Sequence, residues 1–158
     1  MFIVTRTNVG NIGETYVAYK LALRSIKTTK LSPEHQYDIL TAGDIKIEVK
    51  TAKEGVDKKF QKGKQYEWRC WQFLNVSHEF QYKIKNTYKI KRKKKTNVFD
   101  YIIFICLDKK CKPVYEYIVP FKVVKGKESF TIRDKALRKI KTETWYDKYL
   151  DKWDFIKQ

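Results

Sequence analysis

A chain of 158 residues with 42% hydrophobic and 15% aromatic side chains can build one hydrophobic core and is too apolar to be disordered. Its 35 Lys and Arg against 18 Asp and Glu leave a net charge of +17, which favours a polyanionic partner, nucleic acid above all. No apolar run approaches the roughly 20 residues of a membrane span, and Met1–Val4 runs straight into polar residues, so neither a membrane helix nor a secretory signal is expected.

In chain order, Tyr16, Tyr19, Leu23 and Ile26 recur at three- and four-residue spacing and predict a helix over Gly13–Lys27, with Asn11 as its N-cap. Ser32-Pro33 marks a loop and Tyr37–Leu40 a short strand. Thr41-Ala42-Gly43-Asp44 is a tight connection into a run where Ile45, Ile47 and Val49 take one face and Asp44, Lys46, Glu48 and Lys50 the other. Lys53–Lys64 is polar, holds Gly55 and Gly63, and reads as a mobile loop; Tyr66–Val76, with Trp68, Trp71 and Phe73, reads as a strand. Phe99–Leu107 is nearly continuously apolar, as for a strand covered on both faces, and Val114–Val119 is a further strand stopped by Pro120. Asp134–Ile140 and Glu143–Phe155 read as helices. With no repeat and no dividing linker, the reading is one α/β domain over residues 1–158. Its core covers about residues 10–120 and its C-terminal helical segment about 134–157, arranged as a mixed sheet flanked by helices.

Cys70, Cys106 and Cys111 lack metal-site spacing, Cys106 sits in an apolar run as a buried thiol, and an intracellular, cytoplasmic location is expected. His35 and His78 are isolated and read as surface residues, although His35 lies three residues from Asp38.

Three carboxylates and a lysine can meet at one point of this layout. With a three-residue connection (Ala42, Gly43, Asp44), Thr41 pairs with Ile45 and Asp38 falls opposite Glu48, with Cβ atoms about 5 Å apart. A two-residue connection would instead set Asp38 against Ile47 or Val49. Facing carboxylates repel unless a cation lies between them, and Mg²⁺ prefers oxygen ligands, taking one or two carboxylates plus water and phosphate oxygens. The carbonyl of Val49 can add a ligand, and Lys50 emerges on the face of Glu48 about 7 Å further along. Its ammonium can orient water or neutralise charge building on a scissile phosphate. Glu14, near the start of the helix, can aim a third carboxylate inward.

Gly13-Glu14-Thr15 at a helix start, Tyr37-Asp38-Ile39-Leu40 and Glu48-Val49-Lys50-Thr51 resemble the motifs of the PD-(D/E)XK nuclease superfamily, which includes restriction enzymes, archaeal Holliday junction resolvases and some homing endonucleases. Tyr117–Pro120 and Trp153–Ile156 are similar to segments of its small members; Tyr37 stands where the motif has proline. The resemblance implies a restriction-endonuclease-like fold with an αβββαβ-type core. It makes Glu14, Asp38 and Glu48 metal ligands, and Asp38, Glu48 and Lys50 the catalytic set. It further implies Mg²⁺ as cofactor, with Mn²⁺ able to substitute, and hydrolysis of DNA, duplex or branched, to 5′-phosphate and 3′-hydroxyl ends by a homodimer.

Phosphate contacts fall to two basic runs. One is Lys91, Arg92, Lys93, Lys94 and Lys95, with Lys83, Lys85 and Lys89 before it; the other is Lys58, Lys59, Lys62 and Lys64. Trp68 and Trp71 could stack on bases, but packing is the plainer role for tryptophans on a strand. The expectation is a Mg-dependent endodeoxyribonuclease. Its rivals are a Holliday junction resolvase and a DNA-binding module of the same fold without cleavage.

Overall fold

The structure is a computed structural model that describes residues 6–76, 80–82, 91–93, 99–134 and 144–157. Its centre is a five-stranded sheet in the order β1-β2-β3-β8-β9, formed by Thr28–Lys30, Ile39–Thr41, Lys46–Lys53, Tyr101–Leu107 and Pro113–Pro120. β3 and β8 run parallel, and the other neighbours are antiparallel. A second sheet, β10-β5-β4, joins Ser129–Arg133, Lys64–Leu74 and Gly55–Gln61; Phe80–Tyr82 (β6) and Lys91–Lys93 (β7) pair separately.

Side-chain alternation along β3 divides the interior in two. Ile47 and Val49 join Ile103, Ile105 and Ile118 beneath helix α1 (Arg6–Ala22), with Val17, Leu21, Trp153 and Ile156 completing that layer. Ala52 joins Ile102, Phe104, Cys106 and Val119 on the opposite face, under Trp71, Phe73 and Ile132 of the second sheet. β8 is therefore buried on both faces, as its unbroken apolar run requires, and Cys106 is enclosed with its thiol pushed well up by burial.

Helix α1 already runs at Arg6, so Asn11 lies inside it and is no cap. Gly13, inside the helix, has a packing purpose. A Cβ on Gly13 would overlap Thr51 Oγ1, so only glycine lets the helix lie this close to β3. The Thr51 hydroxyl is buried against it without a hydrogen-bond partner among the described residues. The helix ends five residues before Lys27: Ile26 N donates to Leu21 O (3.0 Å) and Ser25 N to Ala22 O (2.9 Å), with Ser25 left-handed at φ 60°. Leu21 and Ile26 pack together in the core, completing that cap.

Two further expectations are corrected. Lys53–Lys64 is not a loop: β4 and β5 form a hairpin whose two-residue turn, Lys62-Gly63, has positive φ at both positions (50° and 73°), the conformation whose twist matches paired strands. Alternation there is broken by Lys58-Lys59, which hid the strand. Residues 144–157 form turns and two single 3₁₀ turns, Asp147–Tyr149 and Trp153–Phe155, in place of a helix. Their aromatic side chains are spent on docking, Tyr146 against Tyr117 (5.5 Å between rings) and Trp153 in the core. The Asp134–Ile140 helix falls mainly outside the described residues. Between β3 and its parallel partner β8, the described chain passes through strands β4 to β7, where the resemblance implies a helix.

Candidate active site

Strand β3 gathers the site. The β2–β3 connection is the three-residue form: Thr41 N donates to Ile45 O (3.0 Å) and Asp44 N to Thr41 O (3.0 Å). Such a loop needs a left-handed third residue, and Asp44, at φ 60°, supplies it in place of glycine. The buried Thr41 hydroxyl accepts from Ile45 N (3.1 Å), fixing the closure. The ladder then continues as Leu40↔Lys46 and Ile39↔Ile47.

At the next step the pairing slips. Asp38 N also donates to Ile47 O (2.9 Å), so Asp38 and Ile39 both stand opposite Ile47 in a bulge, and Asp38 does not sit squarely across from Glu48. The bulge turns the Asp38 carboxylate into the gap opening between the strands, where Oδ2 accepts the Val49 amide at 2.7 Å. A strand's amides lie in the plane of its sheet, so this carboxylate is held at the level of the backbone, within reach of both faces.

Glu48 is 5% exposed, and its Oε1 lies 3.1 Å from Lys50 Nζ. Both project on the face of Ala52 and Phe104, Glu48 beside Ile102 and Lys50 beside Phe104 in the parallel register. Burial raises the Asp38 carboxyl from the usual 3.8 to about 7; the Glu48 charge adds to the rise, the Val49 amide opposes it, Glu14 raises it further and Lys50 lowers it. Asp38 thus feels every other member of the expected quartet.

The four are not equally close in role. Asp38, Glu48 and Lys50 converge where β2 leaves β3. Glu14 rides on α1, which covers the other face, and its carboxylate is paired with Lys30 Nζ at 2.9 Å. Lys30 also reaches Asn11 Oδ1 (3.5 Å). No group of three or more His, Cys, Asp or Glu side chains among the described residues is placed to hold a metal ion. Val49 serves the site through its amide, and its carbonyl follows Glu48 directly on β3.

Other expected residues take various places. Lys58 is exposed and pairs with Glu67 (3.2 Å), while Lys62, in the hairpin turn, and Lys64, just after it, stand in solvent. Lys59 lies in β4 and Lys91, Arg92 and Lys93 in β7; their side chains, with Lys94 and Lys95, are outside the described residues. His35 is exposed beside Tyr37 (ring centroids 6.4 Å apart), and His78 is outside the described residues. Trp71 is wholly buried, its Nε1 donating to Leu107 O (2.8 Å), which leaves it nothing to offer a base.

Residues the sequence reading missed hold this frame. Glu116, buried on β9, accepts from Tyr16 OH and from Trp153 Nε1 (2.6 Å) and pairs with Lys20 (3.2 Å), tying α1 and the C-terminal segment to the sheet. Burial and that carboxylate push the Tyr16 phenol well up. Asp100 Oδ2 accepts the Lys46 amide (2.8 Å) at the start of β3. A buried acid inside an apolar strand such as Tyr115–Val119 was the available signal for Glu116; Lys30 and Asp100 had none.

Comparison with protein families finds no match, and comparison with curated proteins finds none. Among solved structures, the chain is similar to a bacterial homing endonuclease, I-Ssp6803I, with a TM-score of 0.60 at 17% identity, over 96% of this chain and 92% of that one. The fold is accordingly a nuclease-like mixed α/β fold around a central mixed sheet. No described helix is long and apolar enough to cross a membrane.

Proposed function

We propose that the chain is a metal-dependent endodeoxyribonuclease of the PD-(D/E)XK type. The observation that carries this reading is the crowding of carboxylates at the β2–β3 gap, where half-buried Asp38 and buried Glu48 meet beside Lys50 and the Asp38 carboxyl is raised to about 7. Such a donor set suits Mg²⁺, which needs only one or two protein carboxylates and takes its remaining ligands from water and substrate phosphate. Asp38 and Glu48 would hold it, with the Val49 carbonyl adjacent and Glu14 acting from the flank. When bound, the cation supplies Lewis acidity and a more acidic water.

The chain's own groups do the positioning. The Val49 amide fixes the rotamer of Asp38, and Lys50, drawn toward Glu48, keeps an ammonium where phosphate charge would build. The net charge of +17 supplies attraction for a polyanion, and the fold neighbour is itself a homing endonuclease. A homodimer would bring two such sites to two strands.

Plasmid nicking in Mg²⁺ or Mn²⁺ tests the reading. Wild type should nick and linearise, while Glu48→Ala and Lys50→Ala should lose activity at least about 100-fold, as expected when charge stabilisation at the reacting phosphate is removed. Cleavage untouched by both substitutions rejects the site. One observation favours a second reading, a DNA-binding module without cleavage: Glu14 is engaged by Lys30 and no three-acid cage stands ready among the described residues. Salt-sensitive duplex binding without any nicking would select it. Cleavage of four-way junctions in preference to linear duplex would instead indicate a resolvase.

A further inference from the structure

We infer that the β4–β5 ribbon is the sequence-reading element of this protein, laid in the major groove of duplex DNA, while the Asp108–Lys112 turn at its root grips the phosphate backbone. This deepens the nuclease reading and rests on it. The inner half of β5 belongs to the core: Trp71 Nε1 bonds Leu107 O (2.8 Å) and the Phe73 ring lies 4.8 Å from Phe104. Outward from Cys70, β5 and its partner β4 run past the end of β8, where Val56, Phe60 and Tyr66 are 53%, 75% and 38% exposed. Arms of this length project about 20 Å at ~3.3 Å per residue. A two-stranded hairpin with apolar side chains this exposed is marginal in water alone, which points to a partner. The tight Lys62-Gly63 turn keeps the arms paired to the tip, and the major groove is wide enough for such a ribbon.

The two faces of the ribbon are differently equipped. On one, Tyr66 stacks on Trp68 (6.0 Å), and Arg133 lies over Trp68 (5.5 Å) while pairing with Asp57 (2.8 Å), a brace that stiffens the ribbon from behind. The other face continues that of Trp71 and carries Lys58 across from Glu67 and Phe60 across from Gln65. Glu67 orients two of these, accepting from Gln65 Nε2 (3.1 Å) and pairing with Lys58 (3.2 Å). Lysine for guanine, glutamine for adenine, a carboxylate for the cytosine amino group and an apolar ring for the thymine methyl are the chemistries that read base edges.

At the root of that same face lies an open cleft of about 450 Å³ lined by Glu54, Arg69, Asp108, Lys109, Lys110 and Lys112. Asp108 Oδ1 accepts the amides of Lys110 (2.8 Å) and Lys112 (2.9 Å), holding three exposed lysines on a fixed turn. Base-reading side chains beside a rigid cationic turn suit a duplex, with its bases flanked by phosphates. A second copy of this chain, itself at +17, is the poorer occupant.

The experiment is selection of bound duplexes from a randomised library, with salt-dependent affinity and light scattering measured on the same samples. Phe60→Ala and Gln65→Ala should each flatten the selected preference at a confined set of base pairs, with discrimination there falling about 10-fold. Gln72→Ala, on the outward face, is the control expected to keep the preference. Substituting Lys109, Lys110 and Lys112 by alanine should weaken all duplexes alike and lower the salt slope by about 0.9 for each phosphate no longer neutralised. A sequence preference unchanged in both ribbon variants overturns the proposal. So does a change of oligomeric state in those variants with preference intact, which would assign the ribbon to association between copies. These failures leave cleavage by the wild type untouched and are thus distinct from failure of the nuclease reading; a chain that binds no duplex at all would sink both.

Discussion

Replacing Asp38 by asparagine tests the electrostatics of the site without any substrate. The carboxyl rises from 3.8 to about 7 because burial and the Glu48 charge penalise its ionised form. Between those values the folded chain keeps a proton that the unfolded chain has released, so stability falls as pH climbs from about 4 to about 7 and stays lost above. Full enclosure would make the loss about 4 kcal/mol. Asp38 meets solvent on one side, and screening reduces it to about 2 kcal/mol. Asparagine keeps an oxygen for the Val49 amide and removes the charge. In metal-free buffer at pH 8, Asp38→Asn should therefore raise the melting temperature by about 4–8 °C, at about 2–4 °C per kcal/mol for a chain of this size. At pH 5, where the native carboxyl is protonated but the unfolded one is already ionised, roughly a third of that loss has accrued, so the advantage should shrink to about 1–3 °C. Adding Mg²⁺ at pH 8 should stabilise wild type and leave the variant unmoved, since ligand binding raises stability only where its site persists. Calorimetry across pH 5–8 decides. A difference between the two proteins that does not change with pH would refute the reasoning.

Three other predictions concern the frame. Helix propensity alone makes Gly13→Ala stabilising by about 1 kcal/mol, whereas overlap with Thr51 makes it destabilising by about 1–3 kcal/mol; urea denaturation should return the second sign. Glu116→Ala strands Tyr16, Lys20 and Trp153 around a buried vacancy, and chemical denaturation should register a loss of about 3–5 kcal/mol. Ser25→Gly relieves a left-handed residue at the end of α1; less the chain entropy that glycine adds, a gain of about 0.5 kcal/mol is expected in thermal unfolding, and a loss would refute the strain at this cap.

Part of this molecule was legible in its one-dimensional pattern because some signals are local. Alternation from Ile45 to Lys50 put Glu48 and Lys50 on one face and Ile47 and Val49 on the other, and that division is the one found. The three-residue connection between Thr41 and Ile45 was one of two the sequence allowed, and it carries the register only as far as Ile39; the apolar run through Leu107 announced a strand buried on both sides. Tertiary contacts decided the rest. The bulge at Asp38, the capture of Glu14 by Lys30 and the gathering of Tyr16, Lys20 and Trp153 around Glu116 join residues far apart in the chain, and no periodicity encodes them. The ribbon escaped for a related reason: β4 lies beyond the main core, with Val56, Lys58 and Phe60 exposed, so little enforces an alternating pattern, and its pairing with β5 is what makes it a strand.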